Sequence, residues 1–97
     1  MYEIKNSIRD SIFDGLTVAM LSKTESCETL LITLGKDALF PEHTSPRDAC
    51  LIMLKGRVVF SISDQEFEIE EGQSFRFPAH EKHHVIAKED AKFLIIR

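Results

Sequence analysis

Cysteine is scarce in this 97-residue sequence, which contains only Cys27 and Cys50. Two residues at this spacing are too few for a zinc site, and each lies in an apolar, strand-like run. A reduced cysteine in such a run behaves as a small hydrophobe. We therefore expect two reduced thiols, with a disulfide as the less favoured alternative.

Basic residues are also in deficit, with 12 Lys and Arg against 16 Asp and Glu and a formal net charge of -4. They are scattered along the chain rather than gathered into a stripe. A nucleic-acid-binding protein needs Lys and Arg to neutralise phosphates, so nucleic acid is not an expected partner.

Long apolar runs are lacking as well. No run approaches the roughly 20 residues that span a bilayer. The segment from Met1 to Asp10 has no basic stretch followed by an apolar one, as a signal peptide would. The sequence therefore predicts a cytoplasmic protein that binds neither membrane nor nucleic acid.

The chain has the length of one compact domain, and its 43% hydrophobic and 29% charged residues are typical of a globular protein. Residues 1–15 carry Ile4, Ile8 and Ile12 at intervals of four, which predicts a short helix or an irregular lead-in. Residues 16–97 are expected to form the folded domain.

From Leu16 onward, short apolar runs rich in β-branched residues alternate with turn-forming or charged clusters. Most gaps are two to five residues long, which permits antiparallel hairpins and excludes the helical crossovers of a βαβ fold. An all-β sandwich or barrel is therefore expected. The eight predicted strands are Leu16 to Ser22, Cys27 to Leu34, Ala49 to Leu54, Arg57 to Ser63, Gln65 to Ile69, Ser74 to Phe77, His84 to Lys88 and Lys92 to Ile96.

Three of these runs are apolar on both faces: Thr29 to Leu34, Ala49 to Leu54 and Phe93 to Ile96. In a small barrel one face lines the interior, so the other needs a cover. A second copy of the chain is the simplest cover, and we expect a homodimer. A second sheet of the same chain is the alternative.

All four histidines lie in two short stretches, His43 before the Ala49 strand and His80, His83 and His84 after the Phe77 strand. Imidazole is a common transition-metal ligand and the usual physiological acid or base, so loops meeting at a barrel mouth would form a site. Their spacing matches no metal motif by itself, and chance clustering of surface histidines is the competing interpretation.

Two segments resemble the motifs of the cupin superfamily. Gly35 to Gly56 is similar to the first motif, a glycine followed by H-x-H, a glutamate and a closing glycine. Gly72 to His83 is similar to the second, G-x5-P-x-G-x-x-H, and only Arg57 to Glu71 lies between them. The resemblance runs from about Leu16 to the last residue and is closest to small single-domain bacterial cupins. It implies an antiparallel β-barrel of the jelly-roll type.

The sequence departs from that family at the metal ligands. The resemblance implies two histidines and a glutamate from the first motif and one histidine from the second. Here His43 and His83 match, but Ser45 and Ala49 replace the other two. His80 stands where the family has glycine, and it would be the third ligand if its side chain turned inward.

Strand alternation predicts what surrounds the two remaining histidines. If His43 faces inward, Ser45, Leu51 and Met53 share its face, which gives an apolar pocket floor. Phe75 and Phe77 supply further apolar walls, whereas His84 points away from His83. The expected ligand-binding residues are His43, Ser45, Leu51, Met53, Phe75, Phe77 and His83, and the candidate metal ligands are His43, His83 and His80.

Three functions remain open. The favoured one is a binding or regulatory module for a small polar or anionic molecule, with a degenerate metal site. The second is a metal-dependent enzyme of the oxygenase or isomerase kind, and the third is a metal-free acid–base enzyme. The expected cofactor is none or a weakly held divalent transition metal. Arg47 and Asp48 are interpreted as a solvated turn, and Arg57 and Arg76 as outward-facing residues.

Overall fold

The computed structural model describes residues 2–97, which form nine β-strands and no helix. The all-β prediction is therefore confirmed, and residues 2–97 offer no helical segment that could cross a membrane. The strands are β1 (Leu16–Lys23), β2 (Glu28–Leu34), β3 (Leu39–His43), β4 (Ala49–Lys55), β5 (Arg57–Ile62), β6 (Gln65–Glu70), β7 (Ser74–Phe77), β8 (His83–Ala87) and β9 (Ala91–Ile96).

The strands pair into two antiparallel sheets that share one core. Five strands follow the order β1-β2-β9-β4-β7 and four follow β3-β8-β5-β6. Residues from both sheets join one buried cluster, so the sheets are stacked face to face. This is a two-layered jelly roll. The expectation of a closed barrel needs correction, because the pairing among residues 2–97 stops at the edges of each sheet.

Short turns connect the strands of each hairpin, and their residues can adopt the positive φ that the turns require. Ser63 and Asp64 link β5 to β6, and both have positive φ, 53° and 58°. That is the geometry of a tight type I′ hairpin turn. Gly56 links β4 to β5 with φ 79°, and a Cβ there would lie 2.2 Å from the Asp90 carbonyl oxygen. Only glycine fits that position without displacing the neighbouring backbone.

One strand, β3, is absent from the sequence-based prediction, which left its residues in a loop. Pro41 lies inside it and has no N–H to donate to a neighbour, a pattern that argues against a strand. The structure accommodates Pro41 because β3 is an edge strand and its register with β8 shifts between Phe40 and His43. As a result, His43 belongs to a sheet rather than to a loop.

The lead-in is irregular. The Asp10 N–H donates to the Asn6 carbonyl oxygen at 2.8 Å, which closes a single turn, and no helix follows. Of the two forms expected for residues 1–15, the structure has the irregular one, with Met1 outside the described residues.

The five-stranded sheet presents apolar residues on both faces. On the inner face, paired positions form a continuous row of Met20, Leu30, Ile95, Leu51 and Phe75. The outer face carries a second row, which is displaced by one residue along each strand from the inner row and consists of Ala19, Leu31, Leu94 and Ile52. Apart from Met20, which is 47% exposed, the inner row packs into the core that it shares with Phe60 and its neighbours in the other sheet. The outer row points away from that core.

Candidate functional site

A cavity of about 190 Å³ lies between the two sheets. Most of its wall is apolar, and its polar groups come from the ends of strands and the segment after β3. The apolar residues are Val18, Leu30, Ile32, Phe40, Phe60, Phe77, Val85, Phe93 and Ile95. The polar residues are His43, Thr44, Ser45, His83 and Arg97.

The two predicted histidines meet in this cavity because β3 and β8 pair His43 directly with His83. Their ring centroids are 4.2 Å apart and the planes are inclined by 69°. Two hydrogen bonds fasten the loops that flank them. The His80 N–H donates to the Ser45 carbonyl oxygen at 2.9 Å, and the Ala79 N–H donates to Asp48 Oδ1 at 2.9 Å.

Each histidine ring is oriented by a carbonyl oxygen two residues earlier in the chain. His43 Nδ1 lies 2.6 Å from the Pro41 oxygen, and His83 Nδ1 lies 3.0 Å from the Glu81 oxygen. Because a carbonyl oxygen only accepts, each Nδ1 carries the hydrogen. In the neutral ring, Nε2 then keeps its lone pair for a ligand.

Aromatic packing surrounds His83 on two sides. Its ring stacks on Phe60 at 5.1 Å and meets the edge of Phe77 at 4.8 Å, and only 2% of the residue is exposed. Burial lowers the pKa of His83 below its usual 6.5, and the nearby charges of His43, Arg97 and His84 add to the effect. The bond to Glu81 opposes it in part. His83 is therefore favoured as a neutral ring.

Arg97 is a cavity residue that the sequence-based prediction omitted. Its Nε donates to Glu28 Oε1 in an ion pair, and its Nη1 lies 3.3 Å from Ser45 Oγ. The bond to Arg97 lowers the pKa of Glu28 below its usual value. Alternation along β9 could have found Arg97, because it falls on the same face as Phe93 and Ile95.

The remaining expected ligand-binding residues fall into two groups. Ser45 and Phe77 line the cavity, and Ser45 is buried. Leu51 and Met53 face inward as expected but lie in the core, away from the cavity wall. Phe75 packs against Phe60 and Phe67 at ring distances of 4.9 and 5.0 Å, outside the cavity lining.

His80, the candidate third metal ligand, is exposed and has φ of 67°, the left-handed conformation expected where relatives have glycine. A search of residues 2–97 finds no three His, Cys, Asp or Glu side chains placed to hold one metal ion. Ser45 and Ala49 offer a hydroxyl and a methyl where the family pattern has two ligands. The donors therefore do not fit the three-ligand metal site that catalysis normally needs.

The neighbouring polar residues lie outside the cavity. His84 pairs with Ser61 on the outer face, opposite to His83. Arg76 is exposed, and Arg47 is exposed with Nη2 donating to the Glu25 carbonyl oxygen at 3.2 Å. Asp48 is more than a solvated turn residue, since it holds the loop after β7 in place.

Comparison with known proteins agrees with this architecture. Residues 30–97 match the model of the cupin domain. A search of curated proteins found no match. An RmlC-like cupin from Desulfovibrio desulfuricans is 19% identical, with a TM-score of 0.85 over 99% of this chain and 95% of the other.

Two further solved structures share the fold at similarly low sequence identity. A cupin superfamily protein from Desulfitobacterium hafniense is 20% identical, with a TM-score of 0.81 over 90% of this chain and 80% of the other. A conserved protein of unknown function from Streptococcus pyogenes is also 20% identical, with a TM-score of 0.83 over 99% of this chain and 86% of the other. Since the cupin-domain model covers most of the sequence and the jelly roll matches solved cupins, the chain belongs to the cupin family.

Proposed function

We propose that this cupin domain binds a small organic molecule in the cavity between its sheets, as a binding or regulatory module. The observation that carries the proposal is the cavity itself, an apolar pocket of about 190 Å³ with five polar residues in its wall. Small-molecule sites have this composition, because apolar walls supply affinity and a few polar groups fix orientation.

The histidine pair supports this function over a metal-dependent one. Both rings are oriented by backbone carbonyls, and both present Nε2 as the remaining hydrogen-bonding atom. Two such atoms suit an organic ligand, whereas two imidazoles alone hold a metal weakly. Protein purified without a histidine tag is expected to contain no stoichiometric transition metal by elemental analysis, and tightly held metal would contradict the proposal.

Blocking the cavity tests the proposal directly. Val18 lines the cavity from β1 and is half exposed, so Val18→Trp would place an indole at the rim without disrupting the core. Glu66 is exposed on the outer face of the other sheet, away from the cavity, which makes Glu66→Trp a control for the added indole. We expect a fragment screen by NMR to find molecules that shift cavity resonances in the parent and in Glu66→Trp but not in Val18→Trp. Equal binding by both variants would contradict the proposal.

We also propose that the domain acts as a homodimer through the outer face of the five-stranded sheet. Ala19 is exposed there, and Leu94 and Ile52 are partly exposed beside the buried Leu31. An exposed apolar patch of this kind marks an interface. Ile52→Glu is expected to yield a monomer in light scattering. Ser61→Glu, on the outer face of the other sheet, should leave the mass unchanged. A monomeric parent protein would contradict the proposal.

A further inference from the structure

One end of the cavity has a positively charged side chain and no side-chain carboxylate in its wall. Among the side chains of residues 2–97 that line the cavity, Arg97 holds the guanidinium and none is a carboxylate. The Thr44 hydroxyl can also donate a hydrogen bond, whereas Ser45 Oγ and the Nδ1 atoms of both imidazoles already donate to backbone carbonyl oxygens. A negatively charged group would find donors at Arg97 and Thr44 and no side-chain carboxylate to repel it.

The Arg97 side chain is held in position before any ligand arrives. The backbone N–H and C=O groups of Glu28 and Arg97 pair with each other at 3.0 and 2.6 Å, which brings the two side chains together. Ser45 Oγ donates to the Arg47 carbonyl oxygen at 2.6 Å, so it accepts from Arg97 Nη1. An anchored guanidinium loses little side-chain entropy when a ligand binds.

The ion pair leaves part of the guanidinium free. A guanidinium has five N–H donors, and within residues 2–97 the side chain of Arg97 bonds to Glu28 and Ser45. Glu28 is not one of the residues that line the cavity. Its carboxylate stabilises the half-buried charge of Arg97, and the Nη2 group and the second N–H of Nη1, which have no partner within residues 2–97, can still receive an anion.

The rest of the cavity sets the size and polarity of the ligand. Its other residues are hydrocarbon or aromatic, and its volume is about 190 Å³. An apolar cavity of about 150 Å³ accommodates benzene. There is room for one ring, or a short branched chain, and one charged group. A single guanidinium already paired with Glu28 matches a carboxylate monoanion better than a phosphate dianion, which needs more positive charge.

We infer that the ligand is a small monocarboxylate with an apolar body, whose carboxylate binds Arg97 and whose body packs between Phe60, Phe77 and Phe93. This inference rests on the proposed function, since it names the class of molecule that the cavity takes. It assigns Arg97 as the specificity-determining residue, because an uncharged analogue of the same shape would fill the same apolar space.

Benzoate and benzamide are probes that differ in charge and hardly in shape. We expect NMR titration of the parent to show benzoate binding roughly tenfold more tightly than benzamide, because a charge-assisted bond is the stronger. Glu28→Gln/Arg97→Met removes both charges of the pair, so no unpaired carboxylate stays half-buried. In this double variant benzoate should bind only as tightly as benzamide, and the affinity for benzamide should be unchanged.

Two further variants separate anion binding from a structural effect. Arg57→Met/Glu68→Gln removes another arginine–glutamate pair, one outside the cavity lining, and should leave both affinities unchanged. Glu28→Gln alone should strengthen benzoate binding roughly twofold to fivefold, because the guanidinium no longer divides its attraction between two carboxylates. A purely structural ion pair would weaken binding in that variant.

Each outcome bears on the inference. Equal affinities for benzoate and benzamide in the parent would overturn it, as would a double variant that keeps the parent affinity for benzoate. In both cases a probe still occupies the cavity, so the proposed function stands. If neither probe binds, the inference fails, and the comparison of Val18→Trp with Glu66→Trp reports on the proposed function independently.

Discussion

The two histidines of the cavity are oriented by the same hydrogen bond but lie in different surroundings. His83 is on β8, inside its sheet, and is almost completely buried between Phe60 and Phe77. His43 is on the edge strand β3, half-buried, with its ring stacked on Phe40 at 4.1 Å. The comparison indicates that His83 is a fixed part of the core, whereas His43 is the ring that a ligand reaches more easily.

The largest expected effect on stability comes from removing the phenylalanine that packs against each histidine ring. Phe60 is 1% exposed, so Phe60→Ala should lower the free energy of unfolding by about 3–5 kcal/mol through lost burial and a cavity. Phe40 is half-buried at the sheet edge, and Phe40→Ala should cost less than half as much. Urea denaturation measures both. Equal losses would show that the two histidine environments contribute equally to the core.

The next largest expected effect is a loss of stability in acid that is caused by the buried ring of His83. The unfolded chain protonates His83 near pH 6.5, while burial keeps the folded pKa lower, so the unfolded state binds more protons in between. The free energy of unfolding should therefore have its full value above pH 6.5 and fall as the pH drops below 6.5. Glu28 adds a separate loss below its usual pKa of 4.5, so the window from pH 7.5 to 5 isolates the histidine.

A matched pair of variants assigns that acid sensitivity. His83→Gln should flatten the dependence between pH 7.5 and 5, because the titrating ring is gone. His84→Gln, one residue along the same strand and facing outward, should keep the parent slope. Chemical denaturation at a series of pH values gives both slopes. The idea fails if His83→Gln titrates like the parent, or if His84→Gln flattens the curve instead.

The alternation of side chains along a strand explains which features of the molecule could be predicted from the sequence. It places His83 inward and His84 outward, and Ser63-Asp64 ends β5 because both residues tolerate positive φ. The same rule places Arg97 inward, but a positive charge is ordinarily interpreted as a surface residue. The apolar runs also predicted correctly that β2, β4 and β9 carry apolar residues on both faces.

Other features depend on contacts between distant segments. β3 was missed because Pro41 weakens the strand pattern, and only pairing with β8 shows that the edge tolerates it. Leu51 and Met53 share the inner face with Phe93, yet only Phe93 lines the cavity. Alternation specifies the face of a sheet but not the position along the sandwich where the opposing sheet leaves a gap.

The smallest expected change in stability is at His43, and the reason is its place at the edge. His43→Gln should alter the free energy of unfolding by roughly 1 kcal/mol or less, since the ring is half-buried and glutamine still offers polar groups. Affinity for a cavity ligand should nevertheless fall several-fold, because the ring forms the wall between Phe40 and His83. NMR titration with thermal unfolding measures both quantities, and His80→Gln, exposed beside the same loop, should change neither. If His43→Gln proved as destabilising as Phe60→Ala, both rings would be core elements and ligand contact would have to be assigned to Arg97, Thr44 and Ser45 alone.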